Sequence, residues 1–77
     1  MNLLIEANKW VQRGYELKYF IVNQFENGYG EEVLAGRMPK YTYSFVVDKD
    51  GEEIWDYSVD TLEDGFEMAI NWLKKNI

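Results

Sequence analysis

The fold is decided by the stretch Tyr41-Thr-Tyr-Ser-Phe-Val-Val-Asp-Lys-Asp-Gly-Glu-Glu-Ile-Trp-Asp-Tyr-Ser-Val59. Two runs of alternating apolar and polar side chains, 41–48 and 53–59, flank a short polar segment that contains Gly51. Alternation with a period of two residues is typical of strands that bury one face. Glycine in so short a connection suits a tight turn. The stretch therefore predicts an antiparallel hairpin closed by a type I turn with a bulge at Gly51.

Helices are predicted on both sides of this hairpin. Residues 3–13 carry apolar side chains at helical spacing, with Asn2 as a candidate N-cap and Gly14 just beyond the last turn. The second helix begins near Thr61, where either Asp60 or Thr61 can cap it. Acids fill its first turn and lysines its last, as the helix dipole favours.

The segment between the first helix and the hairpin is predicted in two parts. Residues 15–25 alternate β-branched and aromatic types with charged ones and predict a strand with one apolar face. Residues 26–40 carry several turn signals. They fit either a short strand over 31–35 or a long exposed loop.

These elements predict an α+β fold that spans residues 1–77 as a single domain. The expected architecture is a small two-layer domain in the order α-β-β-β-α, in which an antiparallel sheet of three to four strands carries the N- and C-terminal helices on one face. Gly65, inside the last helix, either permits close packing against that sheet or is tolerated at a cost of about 1 kcal/mol.

The order α-β-β-β-α resembles that of double-stranded RNA-binding domains. That family grips phosphates with a basic cluster at the start of its last helix, whereas this chain has Thr61-Leu-Glu-Asp64 there. Because an acidic helix start repels phosphates, the resemblance implies a topology and does not imply RNA binding.

The composition excludes several kinds of chemistry. The 77 residues contain neither His nor Cys, which removes disulfides, thiolate zinc sites and a histidine general base. A formal net charge of −6 argues against direct binding to nucleic acid or to an anionic membrane. We therefore expect a protein without enzymatic activity, cofactor or metal site. A cytoplasmic location is expected because the N-terminal residues lack a signal-peptide pattern.

Negative charge is concentrated in residues 48–67, which hold nine acids and one base, a formal charge of −8. The remaining residues hold seven bases and five acids, a formal charge of +2. Carboxylates on a rigid scaffold can occupy a basic groove of a partner protein. The candidate partner-binding residues in this block are Glu52, Glu53, Asp56, Asp60, Glu63, Asp64 and Glu67.

A second candidate binding element is the segment 29–38, which contains residue types that are enriched at interfaces. Its candidate contact residues are Tyr29, Arg37 and Met38. The alternative is that the segment forms a fourth strand followed by a turn.

These features predict a non-enzymatic, acidic protein-binding module. One form of it is a DNA mimic, made by a phage or mobile element, that inhibits a host nuclease or CRISPR effector by occupying its basic nucleic-acid groove. The alternative is a homodimeric structural or regulatory protein that associates through the sheet face opposite the helices. There Phe20, Val22, Val46 and Ile54 would form an apolar patch.

Overall fold

In a computed structural model, which describes residues 2–77, the two terminal helices and the three strands follow the predicted order, and a short helix lies between the first two strands. The elements are, in chain order, α1 (Leu3–Gln12), β1 (Tyr15–Asn23), α2 (Gly30–Leu34), β2 (Tyr41–Lys49), β3 (Glu52–Val59) and α3 (Leu62–Asn76). The three strands form one antiparallel sheet in the order β1-β2-β3. The α+β prediction is confirmed, with three strands in the sheet.

Strand β2 is central, so β1 and β3 are both edge strands. All nine residues of β1 pair with β2 in one uninterrupted register, from Tyr15 opposite Lys49 to Asn23 opposite Tyr41. The pairing of β2 with β3 is interrupted once: Trp55 lies opposite Val47, but Glu53 lies opposite Asp48. Ile54 is therefore the extra residue of a β-bulge.

The hairpin turn is tighter than predicted. Only Asp50 and Gly51 join β2 to β3, and both have positive φ angles, 54° and 80°. Positive φ at both central residues is the mark of a type I′ turn, whose twist matches that of the flanking strands. The predicted type I turn with a bulge at Gly51 is therefore wrong, and the single bulge of the β2–β3 pairing, at Ile54, is a separate feature within β3.

Both terminal helices pack on the same face of the sheet, as predicted. Trp10 of α1 and Ile70 of α3 join Val47 of β2 in one buried cluster. The Trp10 ring meets the Tyr15 ring edge-on, with 5.6 Å between the centroids. Tyr15 belongs to the same cluster, whose other buried members are Ala7, Ala69 and Leu73.

Gly65 determines how closely α3 approaches β2. A Cβ atom at this position would overlap the ring of Phe45, which is 1% exposed. The same ring stacks on Tyr19, with 5.5 Å between centroids, and meets Phe66 edge-on at 5.1 Å. Of the two roles considered for Gly65, close packing against the sheet is the one that the structure shows.

The helix ends agree with the sequence signals. The Asn2 side-chain oxygen accepts hydrogen bonds from the N–H groups of Leu4 and Ile5, at 3.1 and 3.3 Å. At the start of α3, the Thr61 hydroxyl accepts one from the N–H of Asp64 at 3.1 Å. Thr61 is therefore the N-cap, and Asp60 lies outside the helix.

The connection between β1 and β2 differs from both predicted forms. Strand β1 ends at Asn23 rather than at residue 25, because the Asn23 side chain accepts a hydrogen bond from the N–H of Phe25 at 3.0 Å and turns the chain. Residues 31–35, predicted as a strand or a loop, instead contribute most of α2. Glu31 and Glu32 in the first turn suit the positive end of the helix dipole.

A buried polar pair ties this connection to the sheet. Gln24 and Thr42 are 9% and 8% exposed, and the Gln24 amide donates a hydrogen bond of 2.7 Å to the Thr42 hydroxyl. A buried polar group without a partner is costly, so the pair favours the observed path of the chain.

Replacing Gly65 with Ala should lower the free energy of unfolding by about 1–3 kcal/mol, because the new methyl group forces the buried Phe45 ring to move. This loss exceeds the gain in helix propensity, which is about 1 kcal/mol. Thermal unfolding followed by circular dichroism measures the change. Asn71→Ala, at an exposed position of α3, is the control and should keep or slightly raise the Tm. An unchanged Tm for Gly65→Ala would contradict the packing role.

Replacing Thr42 with Val should cost about 1–3 kcal/mol, because it leaves the buried Gln24 amide without its acceptor. Adding Gln24→Leu should recover part of this loss, since the buried polar group is then removed as well. Urea denaturation of both single variants and the double variant measures the coupling between the two side chains. Strictly additive losses would mean that the two side chains do not interact.

Candidate functional site

The acidic residues predicted to bind a partner lie along β3, in the connection after it and in the first two turns of α3. They are Glu52, Glu53, Asp56, Asp60, Glu63, Asp64 and Glu67. Each of these side chains is exposed, and within residues 2–77 none of them forms an ion pair. Their carboxylates are therefore available to a partner.

The predicted acidic block does not form one continuous surface. Glu52 and Glu53 lie at the turn end of β3, and Asp60 follows its other end. At about 3.3 Å per residue, Glu53 and Asp60 are separated by about 23 Å. The fold thus divides the block into a pair at the hairpin turn and a group around the start of α3.

A shallow groove of about 340 Å³ lies between the end of β3 and α3. Three of the predicted residues, Asp60, Asp64 and Glu67, line it. The other lining residues are Ser58, Val59, Met68 and Asn71. These seven residues are called the acidic groove below.

Sequence reasoning missed four parts of this site: Ser58, Val59, Met68 and Asn71. A signal for two of them was present: Asp64, Met68 and Asn71 are spaced by four and three residues, which places them on one side of a helix. Only the packing of α3 beside β3 shows that this side forms a groove.

The acidic groove has the chemistry to hold a basic side chain. Carboxylates accept charge-assisted hydrogen bonds from ammonium and guanidinium groups. The Met68 side chain offers a flexible apolar contact for the methylene stem of a lysine or arginine. Across residues 2–77, no three acidic side chains are close enough to hold a metal ion.

Most of the acids also have a structural explanation. Charges and bulges on an edge strand prevent it from pairing with another sheet, which accounts for Glu52, Glu53 and Asp56 on β3. Acids in the first helical turn favour α3 through its dipole. Asp60 and Glu67 have neither role, and both line the acidic groove.

The candidate contact residues of the β1–β2 connection differ in how available their side chains are to a partner. Tyr29 is 47% exposed and is free to contact a partner. Arg37 already binds Glu32, with N···O distances of 2.6 and 3.3 Å, and Met38 is half-buried. The structure therefore favours Tyr29 over the other two as a contact residue.

The apolar patch expected on the sheet face opposite the helices contains three of its four predicted residues. The strand register places Phe20, Val22 and Val46 on the face opposite the helices, and Phe20 is 58% exposed. Ile54, expected to join them, packs against the core cluster instead. Its position in the bulge takes it out of the regular alternation of β3.

One charged group has a perturbed acidity. The Lys18 ammonium lies 2.6 Å from Asp48 and 3.4 Å from Glu16. The hydrogen bond and charge of Asp48, followed by those of Glu16, raise the pKa of Lys18 above its ordinary value. Lys18, the only basic side chain of β1, therefore stays protonated, and the carboxylates of Asp48 and Glu16 compensate its positive charge.

Comparison with known proteins gives no family assignment: no protein-family model, curated protein or solved structure matches the chain. None of the helices formed by residues 2–77 combines the length and the apolar character needed to cross a membrane. The geometry of the acidic groove is the main guide to function.

Proposed function

We propose that the protein is a non-enzymatic binding module that presents its acidic groove to a basic surface of a partner protein. The supporting observation is that Asp60 and Glu67 are exposed, line the same groove and form no ion pair within residues 2–77. Helix capping does not explain Asp60, because Thr61 provides the cap.

The groove lies between two rigid elements. Strand β3 pairs with the central strand β2, and α3 is held against β2 by the contact between Gly65 and Phe45. Ordering a binding surface costs conformational entropy, and a surface that is already ordered avoids most of that cost. The carboxylates are thus placed for binding before a partner arrives.

A DNA-binding groove is a suitable target for such a surface. It presents Lys and Arg at positions that normally contact phosphates, and fixed carboxylates can take the place of those phosphates. The proposal therefore includes inhibition of a nuclease or CRISPR effector by a DNA mimic of phage or mobile-element origin. Because such targets act inside cells, the proposal includes a cytoplasmic location.

The test neutralises the three exposed acids that line the acidic groove: Asp60→Asn, Asp64→Asn and Glu67→Gln. Wild-type and variant proteins are immobilised and exposed to an extract of the cells that encode them, and retained proteins are identified by mass spectrometry. We expect a nucleic-acid-binding protein that the wild type retains and the variant loses. Added salt or duplex DNA should release it, because both weaken binding to the same basic groove.

The matched control neutralises three exposed acids elsewhere: Glu26→Gln, Glu31→Gln and Asp50→Asn. Both triple variants change the formal net charge from −6 to −3, but only the first changes the groove. The control should keep the partner. Equal loss in both variants would show that total charge, not the groove, controls binding. A partner that stays bound in excess duplex DNA would rule out DNA mimicry.

A further inference from the structure

The two edges of the sheet differ in how they are protected. Strand β3 carries three acids and a bulge, both of which discourage pairing with another strand. Strand β1 has a regular register over its whole length, and its residues 19–22, Tyr-Phe-Ile-Val, carry no charge and no proline. An edge strand of this kind is a template for strand addition.

Three of the four side chains in the uncharged part of β1, residues 19–22, are exposed to solvent. Tyr19, Phe20 and Ile21 are 43%, 58% and 64% exposed. The Tyr19 ring is nevertheless fixed, because it stacks on Phe45 and meets Tyr43 edge-on at 6.1 Å between centroids. The edge is therefore both apolar and ordered.

The hydrogen-bond pattern between β1 and β2 determines which backbone N–H and C=O groups of β1 point away from β2, towards the open edge. The N–H of Gln24 donates a hydrogen bond of 2.8 Å to the carbonyl of Lys40, and such pairs recur at every second residue of an antiparallel ladder. Phe20 and Val22 therefore bond to β2 through their backbones. Tyr19 and Ile21 direct their N–H and C=O groups to the open edge.

We propose that β1 pairs antiparallel with β1 of a second copy of this chain. The two-fold axis lies midway between the two Phe20 residues, which face each other. The two sheets then join into one six-stranded sheet, and the helices of both copies lie on the same face. Tyr19 of each copy exchanges backbone hydrogen bonds with Ile21 of the other.

A second copy fits this edge because the edge is complementary to itself. With the axis at Phe20, the three exposed apolar residues pair only with one another. An axis at Lys18 would place two ammonium groups opposite each other, and an axis at Ile21 would place Tyr19 opposite Asn23. Like charges opposite each other destabilise a sheet, and aromatic pairs stabilise it.

The charge distribution also favours β1. The strand carries one acid and one base, Glu16 and Lys18, so it is neutral. The acids of β3 lie on the other edge of the sheet, about 10 Å away across two strand spacings. In the antiparallel pair, Lys18 of one copy lies opposite the uncharged Val22 of the second, so the two ammonium groups do not meet.

Edge-to-edge association explains the exposed residues better than stacking of the helix-free faces. On that face Phe20 and Val46 are accompanied by Asp56 and Glu53, which lie opposite Val46 and Asp48. Stacking two such faces would bring these acids together away from water, which is costly. This inference uses a different edge from the acidic groove and does not depend on the proposed partner.

Sedimentation equilibrium at micromolar to submillimolar concentrations tests the proposal. The wild type should reach twice the 9.2 kDa mass of one chain. Phe20→Lys and Phe20→Glu should each be monomeric, because like charges then meet at the axis. An equimolar mixture of the two variants should form a heterodimer. Tyr57→Lys, at a 52% exposed aromatic residue of the other edge strand, is the control and should remain dimeric.

Amide hydrogen exchange separates edge pairing from other contacts. The N–H groups of Tyr19 and Ile21 should become protected as concentration rises, whereas that of Phe20 should be protected at every concentration. A wild type that is monomeric throughout the range overturns the proposal, even if it binds an added extended peptide at β1. A mixture of the two charge variants that stays monomeric overturns the axis at Phe20.

Discussion

The contact between Phe45 of the central strand and Gly65 of α3 sets the distance between the C-terminal helix and the sheet. Because Gly65 has no Cβ, α3 lies directly on β2, and the buried Phe45 ring is enclosed by Tyr19 and Phe66. The connection of two residues between Val59 and Leu62 places the start of α3 beside the end of β3, and the close approach at Gly65 holds the helix against the sheet. The acidic groove between them therefore depends on a contact made by apolar residues outside the groove. A small domain buries relatively little surface, so one tightly packed layer of rings carries much of its organisation.

The charge of the protein has several separate physical origins. Acids on β3 protect an open sheet edge, and acids in the first turn of α3 suit the helix dipole. Once these roles are set aside, Asp60 and Glu67 are left in a single groove. A functional interpretation of net charge is stronger when it uses such residues, because within residues 2–77 neither of them forms an ion pair or caps α3.

The two proposed interaction surfaces lie at opposite edges of the sheet and share no residue. The acids and the bulge of β3 disfavour pairing with another strand, whereas β1 is neutral and regularly paired. Association through β1 would leave the acidic groove open at both outer ends of a six-stranded sheet. Each copy in such an assembly would still face a basic partner, and two linked grooves would bind a partner with two sites more tightly than one groove does.

The sequence by itself determined the features that depend on neighbours along the chain. Alternation in 41–59, the cap residues Asn2 and Thr61 and the order of the main elements all follow from spacings of a few residues. The short helix α2 was missed because five residues are too few to show a helical period. Tertiary structure alone decided which acids share a groove, that Ile54 leaves the helix-free face and which two strands form the sheet edges. Those outcomes depend on strand register and on the approach of α3 to the sheet, which bring together residues that no local pattern connects.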